Sequence, residues 1–350
     1  MYIVLLDPNY QERVWGGKKL ATHFHKEIPF EHTGESWEVA CHENGHSTIR
    51  NGALSGMRLI DAVHQYPQAF LGHDLKTNEK FPLLLKFIDA KDQLSVQVHP
   101  EDAYAYANEK GEFGKTEAWY IVEAETGAKL VVGLKEGVTK HAFITAFEAD
   151  NLEAVLKELP VKKGDVINIP AGLIHAIGTG ILLAEVQQNS DTTYRVYDWG
   201  RVGLDGKKRA MHVEKSLDVI DFEGKHSTEI VEGLTFKGDG YEETHYVANA
   251  YFALDQVAIN TYYKVDKEPS LFELYMCIEG EVTVHWEANN ITAATGDSFM
   301  IPACITHYEM KGSGKLLKTY VPNSVQKCKD DLALKGFSAE AIQSKTAMML

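Results

Sequence analysis

One twelve-residue pattern occurs twice in this chain. Gly164-Asp165-Val166-Ile167-Asn168-Ile169-Pro170-Ala171 leads to His175, and Gly296-Asp297-Ser298-Phe299-Met300-Ile301-Pro302-Ala303 leads to His307. Both read G-D-x-x-x-I-P-A-x-x-x-H, at a constant offset of 132 residues. Agreement at six positions with one spacing marks an internal repeat. Each copy predicts the same local structure: Gly-Asp makes a tight turn, a short strand follows, and proline leads into a loop that delivers a histidine. Two copies imply two related β units, with a seam in the polar, glycine-bearing stretch 222–241. The length agrees, since 350 residues is about two domains at roughly 150 residues each.

Most of the chain reads as short strands between glycine, asparagine and proline turns, so the expected fold class is mainly β. Helical patterns are few. Leu59, Val63 and Tyr66 mark one helix ended near Pro67, and Glu101 to Glu109 marks another behind Pro100. Leu152, Val155, Leu156 and Leu159 recur at i, i+3, i+4 and i+7, which predicts a helix over 151–159 stopped by Pro160. A tail helix is expected after Asn323. The resulting division is a first unit over 1–225 with a small helical insertion (about 51–80 and 101–112), a second unit over 240–322, and a tail over 323–350.

Charge and cysteine usage exclude several classes. Lys plus Arg is 35 and Asp plus Glu is 50, a formal net charge of -15. Nucleic-acid binding needs a positive surface, so a nucleic-acid partner is not expected. A small anion remains possible, because it needs only a local cluster of cations. Cys41, Cys277, Cys304 and Cys328 are scattered without a CxxC, which argues against a cysteine zinc site and fits a reducing, cytoplasmic location. The apolar start Met1–Leu6 is broken by Asp7-Pro8-Asn9, and no run approaches the roughly 18 apolar residues of a membrane span. No membrane partner is expected.

The repeated pattern resembles the second motif of the cupin superfamily, whose members are small antiparallel jelly rolls. The resemblance implies two cupin-type jelly-roll β-barrels, with metal ligands carried inside the strands. Upstream of His175, Gln93-Leu94-Ser95-Val96-Gln97-Val98-His99-Pro100 fits as the first motif. Read as a strand, it puts Leu94, Val96 and Val98 on one face and Ser95, Gln97 and His99 on the other. The next strand, 115–122, places Lys115, Glu117, Trp119 and Ile121 on one face. With His175, the candidate ligands are Gln97, His99, Glu117 and His175. Two imidazoles, a carboxylate and an amide oxygen suit a borderline divalent ion, zinc first. The second copy has no Gln-x-His near Ala258–Tyr262. Glu273 is its candidate counterpart of Glu117, and His307 stands nearly alone. The second unit is therefore expected to be metal-free, with His307 structural.

Longer segments give a more specific resemblance. Glu12–Gly17, Gly34–Glu38, Pro82–Lys86, Leu94–Pro100, Gly114–Glu117, Ile169–Ala176, Glu185 and Ser190–Arg195 resemble the signatures of the type I mannose-6-phosphate isomerase (phosphomannose isomerase) family, in its short bacterial form. This similarity implies a zinc-dependent aldose–ketose isomerase that interconverts mannose 6-phosphate and fructose 6-phosphate, with one zinc ion per chain on Gln97, His99, Glu117 and His175. It implies that Arg195 is the active-site arginine, and that Lys86, Ser95 and Lys115 contact phosphate or substrate. The implied partner is a small sugar phosphate, and the chain is expected as a monomer or weak homodimer.

Isomerisation moves a proton between C2 and C1 through an enediol, which needs a base, an electrophile and a grip on the phosphate. Glu185, on the apolar strand 181–186, is the candidate base, because burial raises a carboxylate toward neutrality. Lys115 is the rival acid–base group. Arg195 can hold phosphate or enediolate through two parallel hydrogen bonds. Ion pairs at Glu185 and at Arg195 are the plainer alternatives. The competing functions are a non-enzymatic sugar-phosphate-binding cupin and another metal-dependent cupin enzyme.

Overall fold

A computed structural model describes residues 1–73, 80–269 and 271–348. Part of the expected helical insertion, 74–79, lies outside these residues. The chain is mainly β, and its strands fall into two jelly-roll units of the cupin type. The sheets roll against each other without closing into hydrogen-bonded barrels.

The first unit is two sheets face to face. One has six strands in the order Val166–Ile169, Glu117–Ala124, Ile181–Gln188, Leu83–Ala90, Asn9–Gly17 and Thr33–Val39. The other has five, in the order Leu156–Pro160, Lys129–Leu134, His175–Ile177, Val96–Val98 and Tyr194–Tyr197. Between them lie Ile88, Trp119, Ile121, Leu130, Val132, Ile167 and Leu183.

All eight residues of Ile181–Gln188 are buried. The reason is that both faces of its sheet are covered. Leu182, Ala184 and Val186 pack outward with Leu83, Leu85, Phe87, Ala118 and Tyr120, against Leu254, Met276 and Leu317 of the second unit. A strand buried on both faces reads as a continuous apolar run. The alternate residues point inward, which puts Glu185 and Gln187 beside Lys86 of one neighbour and Glu117 of the other: Glu185 pairs in register with Lys86 and with Trp119, and Gln187 with Glu117.

The second unit is an eleven-stranded sheet that also takes in Val4–Asp7 and Thr48–Ile49 from the start of the chain. Val4–Asp7 pairs with Ser298–Ile301, so the sheets interleave early and late segments. The repeat is preserved in detail. Gly164 and Gly296 take φ of +92° and +93°, a conformation glycine adopts without a Cβ penalty. Asp165 accepts a hydrogen bond from the Lys162 amide at 2.8 Å, and Asp297 one from the Ala294 amide at 2.9 Å. Ile169 pairs with Glu117 as Ile301 pairs with Glu273, so Glu273 is the positional counterpart of Glu117.

The helices expected near 59–66 and 101–109 are present as Leu59–Gln65 and Asp102–Asn108, and the tail carries Val325–Leu334 and Ala339–Lys345. The helix expected over 151–159 is not formed. One 3-10 turn, Leu152–Ala154, is followed by the strand Leu156–Pro160, which pairs with Lys129–Leu134. Lateral pairing at the sheet edge overrides a local helical stripe, and Pro160 is tolerated because an edge strand can spare one N–H. His307 is also corrected. It lies at the surface, 76% exposed, against Asp266, and supports no core.

Candidate active site

The first unit's inner faces bring the predicted ligands together. The strand Val96–Val98 pairs Gln97 with His175 on one side and with Arg195 on the other. The strand expected over 93–100 is thus only three residues long, yet it still carries Gln97 and leads directly into His99. Glu117 opens its own strand on the facing sheet. Donor atoms of His99, Glu117 and His175 lie within 4.8 Å of one another, and all three residues are buried. His99 Nε2 is 3.4 Å from Glu117 Oε1, His175 Nε2 is 3.7 Å from Glu117 Oε2, and Gln97 Nε2 is 3.3 Å from His175 Nε2. Donors around a tetrahedral zinc at about 2.1 Å stand about 3.4 Å apart. Turning the Gln97 amide over would present its oxygen to the same point.

Hydrogen bonding also fits a cation. His175 Nδ1 is 2.8 Å from the Leu173 carbonyl, which holds the N–H there and leaves Nε2 as a lone pair. Glu117 Oε1 is paired with the Lys115 ammonium at 2.8 Å, and the buried Oε2 has no hydrogen-bond partner. Buried polar atoms are normally satisfied, so an unpartnered carboxylate oxygen beside two imidazoles suits a metal ion. Burial, together with the adjacent Lys115 ammonium, pulls His99 down to about 3. Burial works against the charge on Glu117, but Lys115 and His99 outweigh it and hold the carboxyl well below its ordinary value. Both groups are in the deprotonated form that metal binding requires.

A cavity of about 570 Å³ opens over the cluster, lined by Arg13, Lys86, Ser95, Gln97, Lys115, Glu185, Arg195 and Arg209 among others. All seven non-histidine candidates except Glu117 therefore share one space. Lys86 is buried between two carboxylates, 3.0 Å from Glu185 and 4.0 Å from Glu35, and is not the solvated strand-end lysine its position could suggest. Glu185 also accepts from Trp119 Nε1 at 2.8 Å. Burial first, and then the Glu117 charge, raise the Glu185 carboxyl above its ordinary value, with Lys86 opposing. Trp119 is wholly buried and packs edge-on to His175, so it supports the site from behind.

Lys115 stands 2.8 Å from Glu117 and 3.4 Å from His99 Nε2. Arg195 donates to Ser95 Oγ at 3.2 Å and to the Ala210 carbonyl at 2.9 Å. Asp198, a nearby carboxylate, is taken by Arg201 and Arg209. Among the described residues, Arg195 has no ion-pair partner. Burial, and then Arg209, lower its pKa, as expected for a cation with unspent charge. Sequence reasoning missed Arg13, Glu35, Asp191 and Arg209. Arg13 and Glu35 lie inside quoted signatures, but no spacing within one chain reports that they meet at 2.9 Å.

A family model for the catalytic domain of type I phosphomannose isomerase matches residues 3–122, and one for the cupin domain of mannose-6-phosphate isomerase matches 242–321. The mannose-6-phosphate isomerase of Streptococcus mutans is 36% identical over 91% of this chain and 98% of its own length. Mannose-6-phosphate isomerase ManA of Bacillus subtilis is 35% identical over 90% and 97%. A crystal structure of mannose 6-phosphate isomerase from Bacillus subtilis superposes with a TM-score of 0.85 at 33% identity, covering 91% of this chain and 99% of that one. Phosphomannose isomerase structures from Salmonella typhimurium share the fold, at a TM-score of 0.73 and 17% identity. The chain thus belongs to the type I phosphomannose isomerase family.

Proposed function

We propose that this enzyme interconverts mannose 6-phosphate and fructose 6-phosphate through an enediol, with one zinc ion on Gln97, His99, Glu117 and His175. The observation that carries this reading is the buried Glu117 carboxylate. It is flanked by two imidazoles and lies behind Gln97 and Lys115, which line a cavity that holds a buried Lys–Glu pair and, among the described residues, an arginine without an ion-pair partner. When bound, zinc supplies Lewis acidity toward the sugar's C1 and C2 oxygens.

The chain's own residues supply the rest. Glu185 removes the C2 proton, and that electron pair becomes the C1–C2 double bond as the C1 carbonyl oxygen accepts a proton from Lys115. Lys115 then takes the proton from the C2 hydroxyl, the C2 carbonyl forms, and Glu185 returns its proton to C1. Burial suits Glu185 to this exchange by bringing its pKa nearer the working pH. Arg195 and Ser95 grip the phosphate, because Arg195 alone among the cavity cations lacks a carboxylate among the described residues. Lys86 orients Glu185 and borders the phosphate end. Residues 1–225 form the catalytic unit in this reading, 240–322 the supporting unit, and 323–350 an appended tail.

A coupled assay tests the whole. Mannose 6-phosphate should turn over, a chelator should abolish turnover, and zinc should restore it. Full activity in metal-free protein would overturn the zinc assignment, and no turnover of zinc-loaded protein would overturn the substrate.

A further inference from the structure

The second unit carries an inner polar cluster at positions equivalent to those of the first. Asp255 pairs in register with Lys318 as Lys86 pairs with Glu185, and Glu243 pairs with Val257 as Glu35 pairs with Ile88. Four inner positions, those of Glu35, Lys86, Glu117 and Glu185, therefore become Glu243, Asp255, Glu273 and Lys318. His245 stands where Trp37 stands in the first unit, each pairing with the Lys86 or Asp255 position. All five second-unit groups are buried. Glu243, His245 and Asp255 offer donor atoms within 4.8 Å of one another.

Besides Lys318, a second ammonium reaches the cluster, and it comes from the tail. Lys335 Nζ is 2.5 Å from Glu243 Oε2 and 2.7 Å from His245 Nε2. Asp255 Oδ1 is 2.8 Å from the other ring nitrogen, His245 Nδ1. Burial opposes charge on this imidazole, but Asp255 and Glu243 outweigh it and raise it to about 9, so a cation bound at Nε2 takes the place of a proton while Nδ1–H stays on Asp255. A carboxylate behind an imidazole that presents its far nitrogen to a cation is the arrangement metal sites use to orient a histidine ligand. A lysine that merely stapled the tail would need only Glu243. The cluster faces a cavity of about 480 Å³, which leaves room for further ligands.

The tail is held on the same strand. Ala347–Met348 pairs in parallel with Val247 and Ala248 on Tyr241–Ala248, the strand that carries Glu243 and His245. Leu332 and Ile342 pack on Leu234. The tail also lies past the cupin-domain match, which ends at residue 321.

We infer that Glu243 and His245, with Asp255 behind them, form a second cation site that the tail's Lys335 fills from within, and that this site takes a divalent ion such as zinc once the ammonium is withdrawn. Without Lys335, the three carboxylates Glu243, Asp255 and Glu273 face Lys318 and a His245 imidazole raised to about 9, which still leaves net negative charge. Buried negative charge left uncompensated draws in a cation.

The test is zinc content per chain after saturation and desalting, with cobalt absorption as a second readout. Lys335→Met, which keeps the apolar stem, should hold one zinc more than the wild-type chain, whatever number the wild type holds. Lys335→His, which adds a ligand in place of the ammonium, should gain the same ion and decides the matter if the methionine variant does not fold. Adding His245→Ala to either should remove the gain. No gain in a folded variant, or a gain that survives His245→Ala, would overturn the inference. Isomerase activity is expected to stay unchanged in both single variants, so failure here is separable from failure of the proposed function.

Discussion

Lys86 and Glu185 face each other across neighbouring strands of the first unit, Nζ to Oε1 at 3.0 Å, with each side chain only 4% exposed. Burial alone would raise the Glu185 carboxyl further, and the lysine restrains it. The pair therefore sets where the proposed base titrates. Lys86→Met leaves Glu185 buried without its cation, so its pKa rises. The acid limb of the kcat/KM pH profile is expected to move upward, with lower activity at neutral pH. An unmoved limb would rule Glu185 out as the titrating base. Glu185→Gln is expected to abolish exchange of the C2 proton.

His175 is oriented by the Leu173 carbonyl, and Glu117 keeps its Oε2 without a hydrogen-bond partner. His175→Ala and Glu117→Gln are each expected to lose the bound metal, read by elemental analysis, while circular dichroism stays unchanged. Retention of stoichiometric zinc by both variants would contradict the ligand set.

Arg195 has spent its hydrogen bonds on Ser95 and a backbone carbonyl and, among the described residues, none on a carboxylate. Arg195→Ala is expected to lose about 3 kcal/mol of transition-state stabilisation, near 10²-fold in kcat/KM, with unchanged metal content. An equal loss toward a substrate lacking phosphate would place the arginine at the sugar instead.

Glu35 links stability to pH. Burial opposes its charge, but Arg13 and Lys86 outweigh that and lower the carboxyl to about 2. A depressed carboxylate contributes stability that is fully present above its unfolded value and is lost as pH falls through the folded one. The wild-type advantage over Glu35→Gln is therefore expected to be full at pH 5 and to shrink toward pH 2, by at most about 3 kcal/mol. Thermal unfolding of both proteins across that range measures it. A constant difference would show that the ion pairs do not act through Glu35 ionisation.

The repeat glycines offer a matched comparison. Both take the same positive φ, but a Cβ on Gly164 meets nothing within 4 Å, whereas one on Gly296 lies 2.6 Å from the Phe24 carbonyl oxygen. Gly164→Ala is expected to cost about 1–2 kcal/mol from backbone strain alone. Gly296→Ala should cost clearly more, because a backbone atom must move. Denaturant midpoints compare the two directly, and equal losses would mean that the Phe24 segment yields freely.

Much of this was legible in one dimension because it depends on local periodicity. Alternation along Leu94–His99 separated the apolar face from the ligand face, and the repeated Gly-Asp turn located His175. The helical stripe over 151–159 misled because a sheet edge offered Leu156–Pro160 a partner that the segment does not contain. His307 misled in the opposite sense: its motif is intact, but its neighbours left it at the surface.

The turn chemistry, the doubled unit and the choice of candidate metal donors are properties of residue type and spacing, so they can be read before any folding. The state of each group is not. Whether Lys86 is solvated or clamped, whether Arg195 is paired, and whether His245 meets a lysine 90 residues away depend on strands brought together across the sheets. Charge, burial and ligand geometry are pairwise quantities, and contacts distant along the chain come into existence only when the backbone is folded.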